Sequence, residues 1–376
     1  MNLLMIGGDT TVAAGEDGAL YQMLRRFSAH WDRIDMICPR APGTQARTVH
    51  GNVHFYPSPW PKLFQPWFIV RQGRKLMKER QYDLVVTHDF GTFYTGIGTY
   101  FLTRGQGVPY VSEIHHIDGY PRAMTWREKM YRALAKIYLR WVWRHVLAIR
   151  VVNTVEVPEL LKKLGVPQEK ILHLSSFYLD FDVFHPMPDE PCNYDLLFVG
   201  RLASNKGLFT LLDALAQVKQ TYPAVRLGIL GRGPLLGAVE ERITALNLGA
   251  NVTFIPRQPS APAVARVYNQ AKMLICASTA EGGPRVTVEA MACGVPVIST
   301  PVGVMVELVE DGINGLLFHW DAAELAGKVN QLLANEKKCA EIGERGRLAV
   351  QKFQADEVIQ RYAQGYQDLV RRSKES

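Results

Sequence analysis

Short apolar runs alternate with longer stretches of helical periodicity along the whole chain. The runs contain mostly Val, Ile and Leu and few polar residues, which is typical of parallel strands covered on both faces. We predict strands at 3–6, 34–38, 53–56, 84–87, 110–114, 147–152, 171–174, 196–199, 226–230, 252–255, 273–277, 297–299 and 316–318. Helical patterns lie between them at 19–29, 72–80, 208–222, 235–246, 263–270, 286–292 and 324–335. This alternation predicts an α/β fold built from doubly wound parallel sheets.

The pattern breaks once, over residues 176–193, where Pro186, Pro188 and Pro191 interrupt a stretch without periodicity. We interpret this stretch as a linker. It divides the chain into two Rossmann-like domains, residues 1–180 and 193–354, followed by a helix over 355–376 that we expect to pack back toward the first domain. Ligands should bind in the cleft where the two domains face each other, at the carboxyl ends of the strands.

Composition excludes several classes of protein. The chain has 376 residues, of which 47 % are apolar and 21 % are charged, so a disordered or coiled-coil protein is excluded. No uninterrupted apolar run is long enough to span a membrane, and the start lacks a basic region, which predicts a cytoplasmic protein without a signal peptide. Five widely spaced cysteines without a CxxC pair argue against a disulfide framework or a zinc site.

Positive charge is concentrated in residues 71–150, which contain fourteen Lys or Arg and six Asp or Glu. Their net charge of +8 accounts for the +7 of the whole chain. A predicted helix in this region has Met130, Leu134, Ile137 and Tyr138 on one side and cations on another, as in helices that bind anionic lipid. Residues 60–68 could form a second apolar contact. The predicted membrane contacts are Lys129, Arg132, Lys136, Arg140 and Arg144.

The alternative interpretation of this helix is an ordinary domain helix with one solvated, charged face. Nucleic acid is a weaker interpretation of the charge, because no helix-turn-helix, RNP or zinc signature accompanies it.

A glycine-rich loop follows the predicted strand at 273–277, in the sequence EGGPRVTVEAMACGVP over 281–296. Gly282 and Gly283 permit close approach of a ligand to the backbone, and Pro284 suits the first position of a helix. The free N–H groups at the start of that helix favour phosphate. Glu281 and Glu289 could accept paired hydrogen bonds from the hydroxyls of a sugar. The alternative is an ordinary strand–loop–helix connection with two surface carboxylates.

A second loop, FVGRLASNKG over 198–207, follows the first predicted strand of the second domain. Arg201 and Lys206 are cations at the carboxyl end of a strand, where phosphates bind. The loop lacks the GxxxxGK[ST] pattern of a Walker loop. The alternative interpretation is two solvated surface cations.

Two features of the first domain suggest a ligand. Gly7-Gly8-Asp9 ends the first predicted strand, and Gly15 to Gly18 form a turn that opens the following helix. The segment lacks the GxGxxG pattern, which argues against a dinucleotide-binding site. His115 and His116 end the strand at 110–114, and His88-Asp89 is a weaker candidate of the same type. Adjacent residues of a strand point to opposite sides, so at most one of the paired histidines should face a ligand, where it could contact phosphate or carry a proton. An ordinary loop is the alternative for each of these histidines.

Taken together, these motifs resemble the retaining glycosyltransferases of family 4, also called glycosyl transferase group 1, which have the GT-B fold. The resemblance is most specific over 194–320, in the order FVGRLASNKG, LGRGP, EGGPRVTVE, EAMACGVPVIST and EDGINGLLF. The first half resembles the family more loosely, through GGD, THD, EIHH and LDFDVFHP. The linker loop departs from the family, because Phe177-Tyr178 stands where members usually have Asn-Gly.

The resemblance implies a metal-independent retaining hexosyltransferase without a cofactor, which moves a hexose from a UDP- or GDP-sugar to a glycan or lipid-linked acceptor. Arg201 and Lys206 would hold the diphosphate, Glu281 the transferred sugar and Glu289 the ribose, with His115 near phosphate and sugar. The implied catalytic residues are His115, Arg201, Lys206 and Glu281. The implied donor-binding residues are Gly15, Gly200, Arg257, Gly282, Gly283, Pro284, Arg285, Val286, Thr287 and Glu289.

Two other functions stay open at this point. One is a non-transferring nucleotide-sugar enzyme such as an epimerase or a phosphorylase, which would turn over without an acceptor. The other is a catalytically silent, membrane-associated nucleotide-binding protein, against which the presence of both cations and both carboxylates argues.

Overall fold

A computed structural model describes residues 1–175 and 177–375, which group into two compact units. The first unit comprises residues 1–117, 130–175 and 356–375, and the second comprises 118–129 and 177–355. Residues 118–129, which lie inside the predicted first domain, thus group with the second unit. Residues 176 and 376, which begin the predicted linker and end the predicted C-terminal helix, lie outside the described residues.

The first unit contains an eight-stranded sheet, in which every neighbouring pair is parallel except β3 and β4. The strand order is β3-β4-β2-β1-β5-β6-β7-β8. The strands are β1 (Asn2–Ile6), β2 (Arg33–Cys38), β3 (Arg47–Val49), β4 (Val53–Pro57), β5 (Leu84–His88), β6 (Tyr110–Ile114), β7 (Ala148–Val151) and β8 (Ile171–His173). β3 was not predicted, because its three residues are mainly exposed and lack the apolar run of the buried strands.

Helices α1 to α5 and the last helix belong wholly or mostly to this unit. They are α1 (Ala19–Phe27), α2 (Gln65–Glu79), α3 (Tyr94–Thr103), α4 (Trp126–Val142) and α5 (Glu156–Lys163), with the C-terminal helix over Ala355–Glu375. α3 was not predicted, because Gly96 and Gly98 weaken its helical pattern. A Cβ at Gly96 would lie 1.8 Å from the Tyr138 hydroxyl, and one at Gly98 would lie 3.0 Å from the Ile69 side chain. Both glycines therefore allow close packing of α3 on its neighbours.

The second unit contains a six-stranded parallel sheet of order β11-β10-β9-β12-β13-β14. Its strands are β9 (Tyr194–Val199), β10 (Leu227–Leu230), β11 (Val252–Ile255), β12 (Ala271–Cys276), β13 (Val297–Ser299) and β14 (Leu316–Leu317). Its helices are α6 (Leu208–Thr221), α7 (Leu236–Ala245), α8 (Ala261–Asn269), α9 (Arg285–Ala292), α10 (Met305–Leu308), α11 (Ala322–Leu333) and α12 (Glu336–Ala349). The C-terminal helix is α13. Leu196, Phe198, Met273 and Ile275 are buried in the core of this sheet, as their unbroken apolar pattern predicts.

Each sheet has a point where the strand order reverses. In the second unit the chain leaves β9 toward β10 and later returns on its other side as β12; in the first unit β1 lies between β2 and β5 in the same way. Loops that follow the two strands at such a point diverge and leave a crevice, where α/β proteins bind ligands. The loops that follow β9 and β12 contain parts of the predicted motifs at 198–207 and 281–296, and they therefore adjoin one such point.

Helix α4 differs from its prediction in two respects. Tyr138 and Val142 are buried, but Met130, Leu134 and Ile137 are exposed, so the predicted apolar side is divided between the core and solvent. The residues that α4 buries are Ala135, Tyr138, Leu139 and Val142. Among the predicted contacts, Lys129, Arg140 and Arg144 are exposed while Arg132 and Lys136 are half-buried, and Arg144 lies beyond the helix end.

Within residues 1–175 and 177–375, no helix combines the length and the hydropathy needed to cross a bilayer.

Candidate functional site

The loop after β9 is shaped by two glycines. Gly200 has a φ of +151°, and Gly207 has a φ of +64°, a backbone conformation that side chains rarely adopt. A Cβ at Gly207 would lie 2.0 Å from the Ala277 carbonyl oxygen, so only glycine allows the loop to approach the end of β12. The Thr279 N–H donates to the Asn205 carbonyl oxygen at 2.8 Å, which joins the loops that follow β9 and β12.

This junction brings two of the predicted residues into contact. The Lys206 ammonium donates to Glu281 Oε1, and the two side chains are 21 % and 16 % exposed, so the pair is partly accessible. Arg201 is exposed on the same loop as Lys206. Two cations and a carboxylate therefore lie on the loops at the crevice of the second sheet.

The glycine-rich segment also fits tightly against its neighbours. A Cβ at Gly283 would lie 2.1 Å from the Phe177 ring, and one at Gly303 would lie 2.4 Å from the Gly282 carbonyl oxygen. Pro284 is the N-cap of α9 and not its first helical residue as predicted, since α9 begins at Arg285.

The amides at the start of α9 differ in their availability. Two of the predicted donor-binding residues, Pro284 and Thr287, have no free backbone N–H to offer a ligand. Proline has no N–H, and the Thr287 N–H donates to the Pro284 carbonyl oxygen at 3.0 Å. The Thr287 hydroxyl donates to that same oxygen at 2.6 Å, and its side chain is buried. The N–H groups of Arg285 and Val286, in the first turn, have no acceptor within the helix itself.

Glu289 points from α9 into a nearly closed environment. Its Oε2 accepts a hydrogen bond from the Tyr268 hydroxyl at 2.9 Å, and its Oε1 accepts one from Arg285 Nε at 2.8 Å. Burial raises the pKa of Glu289, while the Arg285 charge opposes the shift. The Arg285 guanidinium lies 4.7 Å from the centre of the Tyr178 ring, so it is held between a carboxylate and an aromatic face.

A cavity of about 460 Å³ opens beside the loop after β9, at the carboxyl ends of β9, β10 and β11. Three arginines line it, namely Arg201, Arg232 and Arg257, together with Gly200 and Gln258. The walls otherwise include Val199, Leu230 and Val264. The cavity thus combines cationic and apolar walls, which suits a ligand with both an anionic and a ring-shaped part.

In the first unit, the turn after β1 contains Gly15, whose φ is +92° and which lies against Arg47: a Cβ there would lie 3.0 Å from the guanidinium. Asp9 accepts hydrogen bonds from the N–H and hydroxyl of Thr11, which fixes the start of this turn. A Cβ at Gly8 would lie 2.3 Å from the Phe90 ring, so the loops after β1 and β5 meet closely.

His115 follows β6 and is half-buried, with its ring centre 4.0 Å from that of His88 at the end of β5. Its Nε2 lies 2.8 Å from Nη1 of Arg150, a fully buried residue of β7. Arg150 also donates to Glu113 Oε1 at 3.2 Å. Burial lowers the pKa of His115 well below its usual value, and the neighbouring His88 and Arg150 charges lower it further.

Asp89 lies one residue beyond His88 and is buried among hydroxyl groups. Its Oδ1 accepts from Thr87 and Thr95, and its Oδ2 accepts from Ser112 and Tyr138, at 2.5–2.9 Å. Burial raises the pKa of this carboxyl to about 6, even though all four hydrogen bonds favour its charged form. The network links β5, β6, α3 and α4 behind the loop that carries His88.

Sequence reasoning missed several charged and polar members of these sites. Arg232 belongs to the motif LGRGP, but nothing in the motif alone assigned it a role. Tyr268 lies in a helix whose apolar periodicity hides its hydroxyl. Glu113 and Arg150 left a usable signal, because each is a lone charged residue in an otherwise apolar strand and the two are register partners of β6 and β7. Within the described parts of the chain, no group of three or more His, Cys, Asp or Glu residues could hold a metal ion.

Comparison with known families identifies both halves of the chain. Residues 190–349 match the family described as glycosyl transferases group 1, and residues 18–175 match the glycosyl transferase 4-like domain. A D-inositol 3-phosphate glycosyltransferase from Segniliparus rotundus is 34 % identical over 162 residues. That alignment covers 42 % of this chain and 36 % of the relative, so the chain matches about a third of that protein.

Solved structures match along nearly the whole chain. Sucrose-phosphate synthase from Thermosynechococcus elongatus has a TM-score of 0.82 at 22 % identity, covering 98 % of this chain and 99 % of that one. Anabaena HepE in complex with UDP-glucose has a TM-score of 0.76 at 21 % identity, covering 98 % and 100 % of the two chains. At these identities the likeness establishes the fold, and the predicted two-domain α/β architecture is confirmed.

Proposed function

The chain belongs to the glycosyl transferases of group 1 and has the GT-B fold, and on this premise we propose that it is a retaining hexosyltransferase. Its donor would be a nucleotide-diphosphate sugar of the UDP or GDP type, and its acceptor a glycan or a lipid-linked sugar in polysaccharide or glycolipid synthesis. The observation that carries the proposal is the contact between Lys206 and Glu281 at the crevice of the second sheet. The HepE complex with UDP-glucose supports a UDP-sugar in particular.

Electrostatics explains why these residues suit sugar transfer. Transfer breaks the bond between C1 of the sugar and the diphosphate oxygen, so negative charge develops on the leaving nucleoside diphosphate. Lys206, Arg201 and the amides at the start of α9 would stabilise that charge, as fixed donors do in other transferases. Glu281, which accepts from Lys206, is suited to bind hydroxyls of the transferred sugar at the same place.

The remaining donor groups would bind the nucleoside. Glu289 keeps one buried carboxylate between Tyr268 and Arg285, and we propose that it accepts hydrogen bonds from the ribose hydroxyls. The cavity lined by Arg232 and Arg257 adjoins the loop after β9 and is of a size and polarity suited to the base and its phosphates. His115 and Gly15 would contact the donor from the first unit.

We further propose that no metal ion takes part. Cations and amides would supply the charge stabilisation that a divalent ion supplies in other transferases. Activity should therefore be the same in EDTA as in Mg²⁺. A loss of activity in EDTA that Mg²⁺ restores would overturn this part of the proposal.

Donor hydrolysis without an acceptor tests the proposed function directly. The purified chain is incubated with a panel of UDP- and GDP-sugars, and release of the nucleoside diphosphate is measured. We expect slow release from one donor, lost in Glu281→Ala and retained in the matched control Glu240→Ala, an exposed residue of α7. Silence across the panel, without a thermal shift from UDP or GDP, would favour the binding-protein alternative. Conversion of the donor to another sugar nucleotide without transfer would indicate an epimerase.

The acceptor class is proposed from a surface of the first unit. Leu63, Phe64 and Trp67, before and within the first turn of α2, are 84 %, 54 % and 71 % exposed. Helix α4 exposes Met130, Leu134 and Ile137 beside Lys129 and Arg140, so large apolar side chains and cations share accessible faces. Such a combination binds anionic lipid headgroups and the adjacent acyl region. We therefore propose a lipid-linked acceptor and peripheral binding at the cytoplasmic face of a membrane.

Vesicle sedimentation tests this contact. The wild-type protein should bind vesicles of phosphatidylglycerol and phosphatidylcholine at low salt and ignore pure phosphatidylcholine. Lys136→Glu with Arg140→Glu should weaken binding, whereas Lys219→Glu with Arg242→Glu, in the second unit, should not. Equal binding by the wild type and the α4 variant, or no binding by either, would contradict a membrane contact.

A further inference from the structure

A buried charge cluster lies beneath His115 in the first unit. Glu113 and Arg150 are register partners on β6 and β7, and both side chains are almost fully removed from solvent. Arg150 Nε donates to the Leu174 carbonyl oxygen at 2.8 Å, and its Nη1 lies 3.2 Å from Glu113 Oε1. The hydroxyls of Tyr362 and Tyr366, one turn apart on α13, both donate to that same oxygen. The cluster therefore holds the Arg150 guanidinium in one orientation.

That orientation determines which nitrogen of His115 carries the proton. Arg150 Nη1 lies 2.8 Å from His115 Nε2, and a guanidinium can only donate hydrogen bonds. His115 Nε2 must therefore accept with its lone pair, which leaves the proton of the neutral ring on Nδ1. Protonation of Nε2 would place two donors against each other at hydrogen-bond distance.

Among the other charged groups around His115, the Glu113 carboxylate opposes the effect of Arg150, and the neighbouring histidines reinforce it. Glu113 Oε2 is 3.7 Å from His115 Nε2, farther than Arg150, and Oε1 of that carboxylate accepts from three donors. His88 stacks at 4.0 Å from β5, and the adjacent His116 contributes a further repulsive charge. Burial lowers the pKa of both His115 and His88.

We propose that Arg150 is a positioning residue that, fixed by Glu113, Tyr362 and Tyr366, locks His115 as the neutral tautomer with its proton on Nδ1. His115 then offers a ligand a hydrogen-bond donor and does not serve as a general acid or proton carrier near neutral pH. The identity of the ligand as a nucleotide sugar rests on the proposed function; the tautomer does not.

The lock has a chemical consequence for transfer. A neutral Nδ1–H can donate to a sugar hydroxyl or a phosphate oxygen at any pH from mildly acidic to alkaline. A titrating imidazolium would instead lose its proton near its usual pKa of about 6.5 and make this contact depend on pH. The His115 contact should therefore contribute no acidic limb to the pH profile of the enzyme.

Nitrogen-15 NMR of the histidine rings tests the lock without any assay of activity. The chain has ten histidines, and the His115 signals are assigned by their loss in His115→Asn. We expect the pattern of a neutral ring protonated on Nδ1, without titration between pH 5.5 and 8. A midpoint near 6.5, or a proton on Nε2, would overturn the proposal.

Two variants test the cause of the lock. Arg150→Gln with Glu113→Gln removes both buried charges together, so neither is left unpaired, and should bring His115 titration into the observed range. Tyr362→Phe with Tyr366→Phe keeps every charge but frees the carboxylate, which favours imidazolium, and should raise the His115 pKa by a smaller amount. Arg25→Gln, an exposed arginine of α1, is the control. If His115 does not titrate in the tyrosine variant, nor in the folded protein that carries Arg150→Gln and Glu113→Gln, then Arg150 does not fix the protonation state of His115.

Kinetics then separate a positioning role from a structural one. In the tyrosine variant we expect kcat to fall about tenfold with donor KM within about twofold, and a new acidic limb in the pH profile. A fall without that limb would contradict the proposal. If no donor turns over but the NMR pattern is as expected, the proposed function fails and the proposed tautomer of His115 stands. If the enzyme is active but His115 titrates as an ordinary histidine, the proposed function stands and the proposed tautomer fails.

Discussion

Two ion pairs, one at the carboxyl edge of each sheet, differ in almost every physical respect. Lys206 and Glu281 are 21 % and 16 % exposed, and each comes from a loop. Arg150 and Glu113 are 0 % and 4 % exposed, and each comes from an interior strand of the sheet. The first pair can exchange partners with a ligand at small cost, whereas opening the second would leave a charge in the interior.

The difference indicates a division of labour between the units. In the second unit, Lys206 and Glu281, which would contact the diphosphate and the transferred sugar, are partly exposed and are paired with each other. In the first unit, the accessible group is a histidine, and the charges that control it lie beneath it. Changes in the second unit should therefore act mainly on catalysis, and changes in the buried networks of the first unit mainly on stability or on proton position.

The largest effect should come from Lys206→Ala. Removing one fixed donor to a developing anion costs about a hundred- to thousandfold in rate. We expect a loss of that size in nucleoside diphosphate release, with circular dichroism and thermal unfolding close to wild type. Lys219→Ala, a half-buried lysine of α6 that donates to the Asn247 carbonyl oxygen, serves as the control. Unchanged turnover in Lys206→Ala would show that Lys206 does not stabilise the leaving diphosphate. The contrast between the Lys206–Glu281 and Arg150–Glu113 pairs would then lose its functional meaning.

A smaller effect, on stability alone, is expected from Asp89. Burial raises the pKa of Asp89 to about 6 from 3.8, so the folded state prefers the protonated carboxyl. The stabilisation from this proton is complete below pH 3.8 and is lost as pH rises through about 6, a change of at most about 3 kcal/mol. Asp89→Asn should lack this dependence.

The measurement compares urea unfolding of wild type and Asp89→Asn at pH 4.5 and pH 7, with Asp17→Asn, an exposed residue of the first unit, as the control. The free energy of unfolding of the wild type relative to Asp89→Asn should be lower at pH 7 than at pH 4.5. An equal difference at both pH values would show that Asp89 is ionised throughout, and the hydroxyl network would then outweigh burial.

The smallest effect should come from the arginines of the cavity beside the loop after β9. Arg232→Ala and Arg257→Ala should each raise donor KM about tenfold, which corresponds to about 1.4 kcal/mol, with kcat little changed. Arg266→Ala, on α8 and mainly exposed, is a matched control in the same unit. If kcat falls and KM stays unchanged, these arginines act on the leaving group. The second unit would then contain more transition-state contacts than the two loops provide.

The fold was largely predictable because its strands are buried on both faces and so leave unbroken apolar runs. Every predicted strand has its counterpart, from β1 at Asn2–Ile6 to β14 at Leu316–Leu317. The missed elements lack that signal: β3 is short and exposed, and α3 contains glycines that are required for close packing. Helices α5, α10 and α12 were also missed, because α5 and α10 are short and α12 buries few of its residues. The apolar side of α4 is divided between core and solvent, a division that periodicity does not show because it identifies an apolar face but not what covers it.

The candidate site was less predictable, for a physical reason. The motifs named Arg201, Lys206, Glu281 and Glu289, because chemistry at a strand end depends on residue type and local spacing. The cluster under His115 depends on residues far apart in sequence, since Tyr362 lies 249 residues after Glu113. Such a contact becomes visible only when the strand register and the position of α13 are known. The roles of the predicted site residues themselves stay predictions until the variants above are measured.

The position of α13 has a consequence for how the protein is made. The first unit contains both β1 and α13, and the hydroxyls that satisfy Glu113 come after the whole second unit in the sequence. During synthesis the whole second unit leaves the ribosome before the first unit can be completed. A nascent chain that stops short of Tyr362 therefore carries a buried carboxylate without two of its donors, and the first sheet reaches its final form only after Tyr366 has been made.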